Sequence, residues 1–187
     1  MTQFFSCDRC KLSTLNVRLS LLLVVFAVLL LPATSHAQAW LQEFPADSPS
    51  ARCLFTMAYD TSDFKVVLFG GLNATGVLDH TFVWDDANWT QQDPAHSPPK
   101  RYLASMAYDA ADGKVVLFGG ANSTGPFFDT WVWNGTDWKQ EHPANSPPSR
   151  LSAAMAYDEA EGQVVMFGGL DSDDFPSAVI SDTRVKR

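Results

Sequence analysis

Three arginines that recur at one spacing are the side chains of this chain that could bind an anion. Arg52, Arg101 and Arg150 follow one another at intervals of 49 residues. A guanidinium presents five N–H donors in a planar fork, which suits a phosphate or a carboxylate. A repeated arginine can equally satisfy loop carbonyls or the carboxylate of a neighbouring unit, and we favour this structural role over an anion site.

The groups that could bind a metal ion are an acidic loop and the three histidines that follow the N-terminal segment 1–37. The acidic residues are Asp171, Asp173 and Asp174. Loop oxygens can hold Ca²⁺, but this segment lacks a complete ligand set and a turn glycine, so we interpret it as a solvated loop. The histidines are His80, His96 and His142, and no short ligand spacing connects them. The sequence therefore predicts no metal site, no cofactor and no catalytic residue.

The arginines belong to a sequence repeat of 49 residues. The string MAYD begins at Met57, Met106 and Met155, and each copy leads into VVLFGG or VVMFGG. The same interval separates paired glycines and tryptophans: Gly70/Gly71, Gly119/Gly120 and Gly168/Gly169, and Trp40, Trp89 and Trp138. Self-similarity at a fixed period of this size predicts a repeat architecture, in which most residues serve the scaffold.

One repeat has the pattern of four antiparallel strands. In residues 101–149, an apolar stretch at 103–108 and a β-branched run at 114–118 flank a turn, which predicts a hairpin. A third strand at 130–133 leads through Asn134-Gly135, a strong hairpin signal, into a fourth around Trp138. Asp109 and its equivalents recur beside the first turn, where we expect them to cap it.

The order of these markers resembles the kelch repeat. The resemblance covers residues 40–170 and rests on Pro-Pro-x-Arg, two hydrophobic strands ending in Gly-Gly, an aromatic third strand and a tryptophan in the fourth. This type of repeat is similar to that of secreted galactose-oxidase-like propellers. It implies an all-β fold, a β-propeller-type array of four-stranded antiparallel kelch blades. Copper oxidases of that group need a tyrosine pair, a cysteine crosslink and two histidines, and this set is not found here.

The repeats give the domain boundaries. Residues 38–51 match the last strand of a preceding blade, 52–100 and 101–149 are full repeats, and 150–187 is a partial third repeat in which 182–186 echo 129–133 at a displacement of 53. Propellers need about 4 to 8 blades, so we expect the array to be incomplete or open as a single chain. Either the chain is a truncated piece, or its opening strand completes the last blade of a second copy in a six-bladed homodimer.

The N-terminal segment has the pattern of a signal peptide. Arg9, Lys11 and Arg18 precede an uncharged run at 19–31, and small residues allow cleavage after Ala37 or Ala39. Residues 1–37 would then be removed with the C-x-x-C of positions 7 and 10, leaving a secreted or periplasmic protein. An uncleaved membrane anchor is the alternative. We expect the remaining cysteine, at position 53, to be a small buried hydrophobic residue.

Charge and loop variation limit the function. The formal charge of −8, without a basic stripe, makes nucleic acid an unsuitable partner. The loops after the glycine pairs, 72–80, 121–129 and 170–181, differ most between copies, and recognition usually lies in such loops. The candidate binding residues are Asn73, Asn122, Phe127, Phe128, Asp171, Asp173 and Asp174. We expect a binding or scaffold module for protein or carbohydrate; a piece of a galactose-oxidase-like copper oxidase, or a truncated chain without independent function, is the alternative.

Overall fold

A computed structural model describes residues 39–171 and 179–186, and all regular structure in these residues is β-strand. The described residues of Phe44–Arg187 belong to one compact unit. The predicted signal peptide and the candidate residues Asp173 and Asp174 lie outside the described residues. Within residues 39–171 and 179–186, no helix is long and apolar enough to cross a membrane.

The first repeat forms a four-stranded antiparallel sheet, sheet 1. Its strands in chain order are β1 (Thr56–Asp60), β2 (Lys65–Phe69), β5 (Thr81–Trp84) and β6 (Trp89–Gln92), paired in the order β1-β2-β5-β6. Between β2 and β5 the chain makes a small hairpin of β3 (Leu72–Asn73) and β4 (Gly76–Val77). The four main strands agree with the sequence prediction, whereas the small hairpin was not predicted.

The second repeat builds sheet 2 in the same way. Its main strands are β7 (Ser105–Asp109), β8 (Lys114–Phe118), β11 (Thr130–Trp133) and β12 (Trp138–Glu141), and its small hairpin is β9 (Ala121–Asn122) with β10 (Gly125–Pro126). Trp133 pairs with Trp138, as Trp84 pairs with Trp89 in sheet 1. The two sheets therefore share one register throughout.

The third repeat supplies the three strands of sheet 3. These are β14 (Ala154–Asp158), β15 (Gln163–Phe167) and β17 (Thr183–Lys186), in that order, while β13 (Arg150–Leu151) pairs with β16 (Leu170–Asp171). Thr183 pairs with Phe167, as Thr130 pairs with Phe118. The extra residues of this repeat therefore lie in the loop, and the predicted match of 182–186 to 129–133 is confirmed.

The core between sheets 1 and 2 contains aromatic and aliphatic side chains from both. Val67 and Phe69 of sheet 1 belong to one buried cluster with Tyr108 and Trp138 of sheet 2. The rings of Phe69 and Trp138 meet edge to face, with centroids 5.3 Å apart. The indole Nε1 of Trp138 donates a hydrogen bond of 2.9 Å to Oγ1 of Thr81. Burial of such a ring with its polar atom satisfied stabilises the contact between the sheets.

Sheets 2 and 3 meet through a smaller apolar cluster. Val116 and Val132 pack against Val164, and Met155 lies beside them. Trp133 in sheet 2 and Lys186 in sheet 3 occupy equivalent positions, since each is the last residue of the third strand of its sheet. The Lys186 ammonium donates to the carboxylate of Asp109 at 2.7 Å, so an ion pair takes the place of an aromatic contact.

The first two glycine pairs lie where successive repeats approach each other. Gly119 has φ 68°, and a Cβ there would stand 2.6 Å from the carbonyl oxygen of Arg150. Its neighbour Gly120 donates a backbone hydrogen bond of 3.1 Å to that same oxygen. Gly70 is equivalent, with a Cβ position 2.5 Å from the carbonyl of Arg101. A side chain would block this contact, so glycine is required on steric grounds.

The third glycine pair departs from the predicted equivalence of the markers. Gly169 is half-buried, whereas its equivalents Gly71 and Gly120 are buried. A Cβ at Gly169 would stand 2.8 Å from the carbonyl oxygen of Leu151 in its own repeat, so glycine is still required there. Gly169 therefore makes the contact within its own repeat but not the contact between repeats that Gly71 and Gly120 make. The physical reason is that the described residues contain no following repeat to cover it.

Two further predictions differ from the structure. Residues 39–51 contain no strand, although their sequence matches the fourth strand of a repeat. In the described residues, the third strands of sheets 1 and 2 already pair with the fourth strands of their own sheets. A strand needs a hydrogen-bonding partner beside it. The expectation that Cys53 is buried is wrong, since it is exposed. Its backbone pairs with Leu72, and its thiol lies 3.7 Å from the carbonyl of that residue.

Candidate binding face

The loops after the glycine pairs and the loops that carry Ser-Pro-Pro lie at the same end of the sheets. The amide of Arg101 donates to the carbonyl of Leu78 at 3.1 Å, and that of Tyr102 donates to the carbonyl of Ala121 at 2.9 Å. The first bond joins successive repeats and the second lies within one. We call this end of the array, formed by residues 50–55, 72–80, 99–104 and 121–129 with the equivalent described residues of the third repeat, the loop face.

A chain of backbone hydrogen bonds ties the three repeats together across the loop face. Leu103 N donates to Leu54 O, and Ser152 N donates to Leu103 O, both at 2.9 Å. Leu54, Leu103 and Ser152 have φ values of 57°, 57° and 56°, which non-glycine residues adopt at a cost of about 1 kcal/mol or more. The surrounding hydrogen bonds hold them there, so the loop face is a fixed platform.

Arg101 is a structural residue with four of its five N–H donors engaged by the protein. Its side chain is fully buried, and it binds the carboxylate of Asp129 with two hydrogen bonds of 2.6 and 2.9 Å. It also donates to the carbonyls of Gly119 and Pro99 at 2.9 and 3.0 Å. The ring of Phe127 covers the guanidinium, with its centroid 4.1 Å from the Cζ atom. The guanidinium is therefore buried and neutralised within the protein, which supports its structural role.

The charge of this arginine also fixes the ionisation of its partner. Burial by itself raises the pKa of Asp129, but hydrogen bonds from Arg101, the charge of Arg101 and a hydrogen bond from the Trp131 indole together lower the pKa below its usual value. The indole Nε1 lies 2.7 Å from the carboxylate. Asp129 is therefore a carboxylate at all ordinary pH values, and the pair stays intact.

Arg150 repeats the arrangement with Asp182. Its guanidinium donates to the Asp182 carboxylate at 2.7 Å and to the carbonyl of Gly168 at 3.1 Å. Arg184 donates to the same carboxylate at 2.7 Å. The hydrogen bond from Arg150 has the largest effect on the pKa of Asp182 and lowers it; burial opposes it, and the hydrogen bond from Arg184 and the charges of both arginines lower the pKa further, to about 2.

Arg52 is the exception, because its repeat carries His80 where the others carry aspartate. The equivalence is structural: Gly70 N donates to His80 O, as Gly119 N donates to Asp129 O. Arg52 donates only to oxygens of Ser50 and to the carbonyl of Gly70, and its guanidinium lies 5.0 Å from the centroid of the Phe82 ring. It forms no salt bridge in the described residues and is partly exposed, unlike Arg101 and Arg150.

The predicted binding residues separate into turn-forming and exposed groups. The side-chain oxygen of Asn73 accepts hydrogen bonds from Thr75, and that of Asn122 accepts them from Thr124, so each closes its small hairpin. Phe128 is exposed over 66% of its surface, whereas Phe127 is half-buried on Arg101. Asp171 lies in β16, paired with Arg150. These residues share the loop face, but the structure does not bring them into one cluster.

The histidines and acidic groups do not converge on a metal site in the described part of the chain, where no group of three or more such side chains could hold an ion. His96 instead joins two repeats: its Nδ1 lies 2.8 Å from the carboxylate of Asp137, and its amide donates to the same group at 2.8 Å. His80 lies near Phe82, with ring centroids 6.2 Å apart.

An open cavity of about 650 Å³ lies between sheets 2 and 3. Phe118, Thr130 and Val132 line it from sheet 2, and Met166 and Arg184 line it from sheet 3. Sequence analysis missed both this cavity and the aspartate partners of the arginines. The second could have been found, because Asp129 and Asp182 each stand directly before the third strand of their repeat.

The architecture defines the chain as an all-β protein, an open propeller-type array of four-stranded antiparallel sheets. No family model matches the sequence, and no curated protein matches it. Among solved structures, a chain titled "Structure of YjhT" superposes with a TM-score of 0.57 at 15% identity, over 74% of this chain and 43% of that one. The chain therefore spans less than half the length of that structure, and at this identity the likeness shows the fold alone.

Proposed function

We propose that the chain is a secreted or periplasmic kelch-repeat module that binds another protein through its loop face and performs no catalysis of its own. The kelch assignment is supported by the repeated glycines, arginines and tryptophans, which occupy equivalent positions in the sheets. The location is supported by the signal-like sequence of residues 1–37.

The fixed platform with an exposed aromatic side chain carries this proposal. Phe128 stands exposed beside the Phe127–Arg101 stack, on a loop whose backbone is held within its own repeat by the bonds from Phe127 N to Gly120 O and from Gly119 N to Asp129 O. Aromatic and arginine side chains on a preorganised surface are those that contribute most to protein interfaces. Arg52, with no carboxylate partner, adds an unneutralised guanidinium to the same face. These features favour a protein ligand with acidic groups over a carbohydrate.

A matched pair of substitutions tests the proposal. Phe128 is 66% exposed on the loop face, and Phe64 is 69% exposed in the β1–β2 turn at the opposite end of sheet 1. Arrays of secreted proteins and of glycans, probed with the wild type, Phe128→Ala and Phe64→Ala, should yield a protein ligand that loses at least about tenfold in affinity with Phe128→Ala only. Equal loss with both variants, or binding to glycans alone, would contradict it.

Copper loading separates binding from the oxidase alternative. The purified chain is incubated with Cu²⁺, desalted and analysed for metal. We expect less than stoichiometric copper, because the described histidines lie apart from one another in the repeats. One tightly bound copper per chain would overturn the proposal in favour of a piece of an oxidase.

A further inference from the structure

Sheet 3 has an unpaired edge where the other sheets have a fourth strand. β5 pairs with β6 and β11 pairs with β12, whereas in the described residues β17 pairs only with β15. The register of the missing partner is fixed by analogy, since the fourth strands begin opposite Trp84 and Trp133. A strand added to β17 would therefore begin opposite Lys186.

The cavity beside this edge has the lining of an indole site. In the neighbouring interface, Trp138 of the fourth strand lies against Phe69 and donates to Thr81. Phe118 and Thr130 are the equivalents of Phe69 and Thr81 one repeat later, and both line the cavity. The cavity is thus the position that the first tryptophan of a fourth strand would occupy, with the Thr130 hydroxyl available to accept its N–H bond.

The chain contains one segment of the matching sequence that forms no strand. Residues 40–43 read Trp-Leu-Gln-Glu, against Trp-Thr-Gln-Gln in β6 and Trp-Lys-Gln-Glu in β12, at the repeat interval of 49. Residues 39–51 contain no strand, and the side chains of Trp40 and Leu41 are exposed. The segment therefore has the sequence of a fourth strand without its pairing.

The residues that follow this segment are held on sheet 1 in the way that a fourth strand requires. Ala46 N donates to the Asn88 side chain at 2.8 Å. One repeat later, at the position after the equivalent of Ala46, His96 N donates to the Asp137 side chain at 2.8 Å. In the second case the preceding residues form β6 of the adjacent sheet. By the same geometry, a sheet stacked on the free side of sheet 1 would receive residues 40–43.

An apolar face is exposed at each end of the array in the described residues. Met57 of sheet 1 is 47% exposed, whereas its equivalent in sheet 2, Met106, is covered by sheet 1 and is only 6% exposed. At the other end Phe167 is 54% exposed, while its equivalent Phe118 is 3% exposed. In the contact between sheets 1 and 2, the face of sheet 1 that is equivalent to the Phe167 face packs against the face of sheet 2 that is equivalent to the Met57 face. The two free faces are therefore complementary to each other.

We propose that a second copy of this chain completes sheet 3: its residues 40–43 pair with the outer edge of β17, and its Trp40 fills the cavity between sheets 2 and 3. The free face of its sheet 1 then covers Phe167. A two-fold axis repeats both contacts, and six sheets close a ring, within the usual range of about 4 to 8 for propellers.

Cross-linking between singly substituted chains tests the register. Leu41 would lie directly opposite Val185, so a Leu41→Cys chain mixed with a Val185→Cys chain, with the native cysteines replaced by serine, should form a mixed disulfide under mild oxidation. A Gln42→Cys chain is the control, since adjacent residues of a strand point to opposite faces. We expect at least about tenfold less mixed disulfide with it. Equal yields from the two pairs would overturn the proposed pairing.

The mass of the protein in solution tests whether a second copy of the chain occupies the edge of β17 and the cavity. We expect the wild-type chain to sediment as a dimer and Trp40→Ala to weaken the dimer at least about tenfold, because an indole site would stay empty. Phe44→Ala, at another exposed aromatic residue just beyond the pairing segment, should leave the mass unchanged. A monomeric, unfolded or aggregated wild type would overturn the proposal and indicate that further sheets of a longer chain cover these faces. Phe128→Ala should keep the dimer, so failure of this proposal is distinguishable from failure of the proposed function.

Discussion

At the scale of single residues, one position of the repeat decides whether its arginine is neutralised. The residue before the third strand is Asp129 in sheet 2 and Asp182 in sheet 3, and each binds its arginine, whereas His80 in sheet 1 leaves Arg52 without a carboxylate. The sequence predicts the repeated arginines, but their partners lie 28 or more residues away and only the fold brings them together.

The buried pair of sheet 2 should be costly to break. Asp129→Ala leaves the Arg101 guanidinium buried without its counter-charge, so we expect the free energy of unfolding to fall by about 3 kcal/mol. His80→Ala at the equivalent position removes no ion pair and should cost less than about 1 kcal/mol. Urea unfolding followed by tryptophan fluorescence measures both, and similar losses would show that the Arg101–Asp129 pair contributes little.

Acid should weaken the third repeat through Asp182. Its pKa is about 2 in the folded chain against an ordinary value of 3.8, so its carboxylate stabilises the fold fully above pH 3.8. That stabilisation is lost as the pH falls from this value through about 2. Asp182→Asn should therefore flatten the dependence of the unfolding midpoint on pH in this window. An unchanged slope would contradict the assignment.

At the scale of elements, the main strands follow from local sequence and the joints between them do not. Alternation and the Asn-Gly turn predict β7, β8, β11 and β12 directly. The two-residue strands β3 and β9 have too little pattern to be predicted, because they exist through pairing with the next turn and with the Ser-Pro-Pro loop. Residues 39–51 contain no strand although the sequence predicts one, because strand formation also requires a partner.

The glycine pair of sheet 2 should be intolerant of alanine for steric reasons. Gly119 and Gly113 have nearly the same φ, 68° and 64°, but a Cβ at 119 would stand 2.6 Å from a backbone oxygen, while at 113 the nearest atom is 4.0 Å away. Gly113→Ala should cost about 1 kcal/mol for the left-handed conformation. Gly119→Ala should cost at least about 2 kcal/mol more, since backbone must move. Thermal unfolding compares the two, and equal costs would refute the role of close approach.

The fourth-strand tryptophans should differ in their contribution to stability although they are equivalent in sequence. Trp138 is buried between sheets 1 and 2, whereas Trp89 is half-buried on the free side of sheet 1. Trp138→Ala should lower the free energy of unfolding by about 3 to 5 kcal/mol. Trp89→Ala should cost less than half of that in the monomeric chain. Chemical unfolding at low protein concentration gives the comparison, and equal losses would show that Trp89 is covered in solution.

At the scale of the whole molecule, stability depends on the number of stacked sheets. Each sheet buries its two faces only against neighbours, so the outer faces of sheets 1 and 3 remain apolar and open. The sequence correctly predicts an open array, because the repeat count is visible in the 49-residue period. The complementarity of the free faces is a property of the stacking, and no sequence pattern shows it.

At the loop face, main-chain atoms join the successive repeats, and this has a practical consequence. Gly120 donates to the Arg150 carbonyl and Ser152 to the Leu103 carbonyl, while the corresponding contacts one repeat earlier use Gly71 and Leu103 as donors. Loop side chains can therefore diverge without disturbing these hydrogen bonds, whereas the buried side chains between the sheets must be kept. Residues 101–149 form an interchangeable cassette, and concatenating copies of it offers a route to synthetic rings of chosen circumference, each displaying its own set of loops.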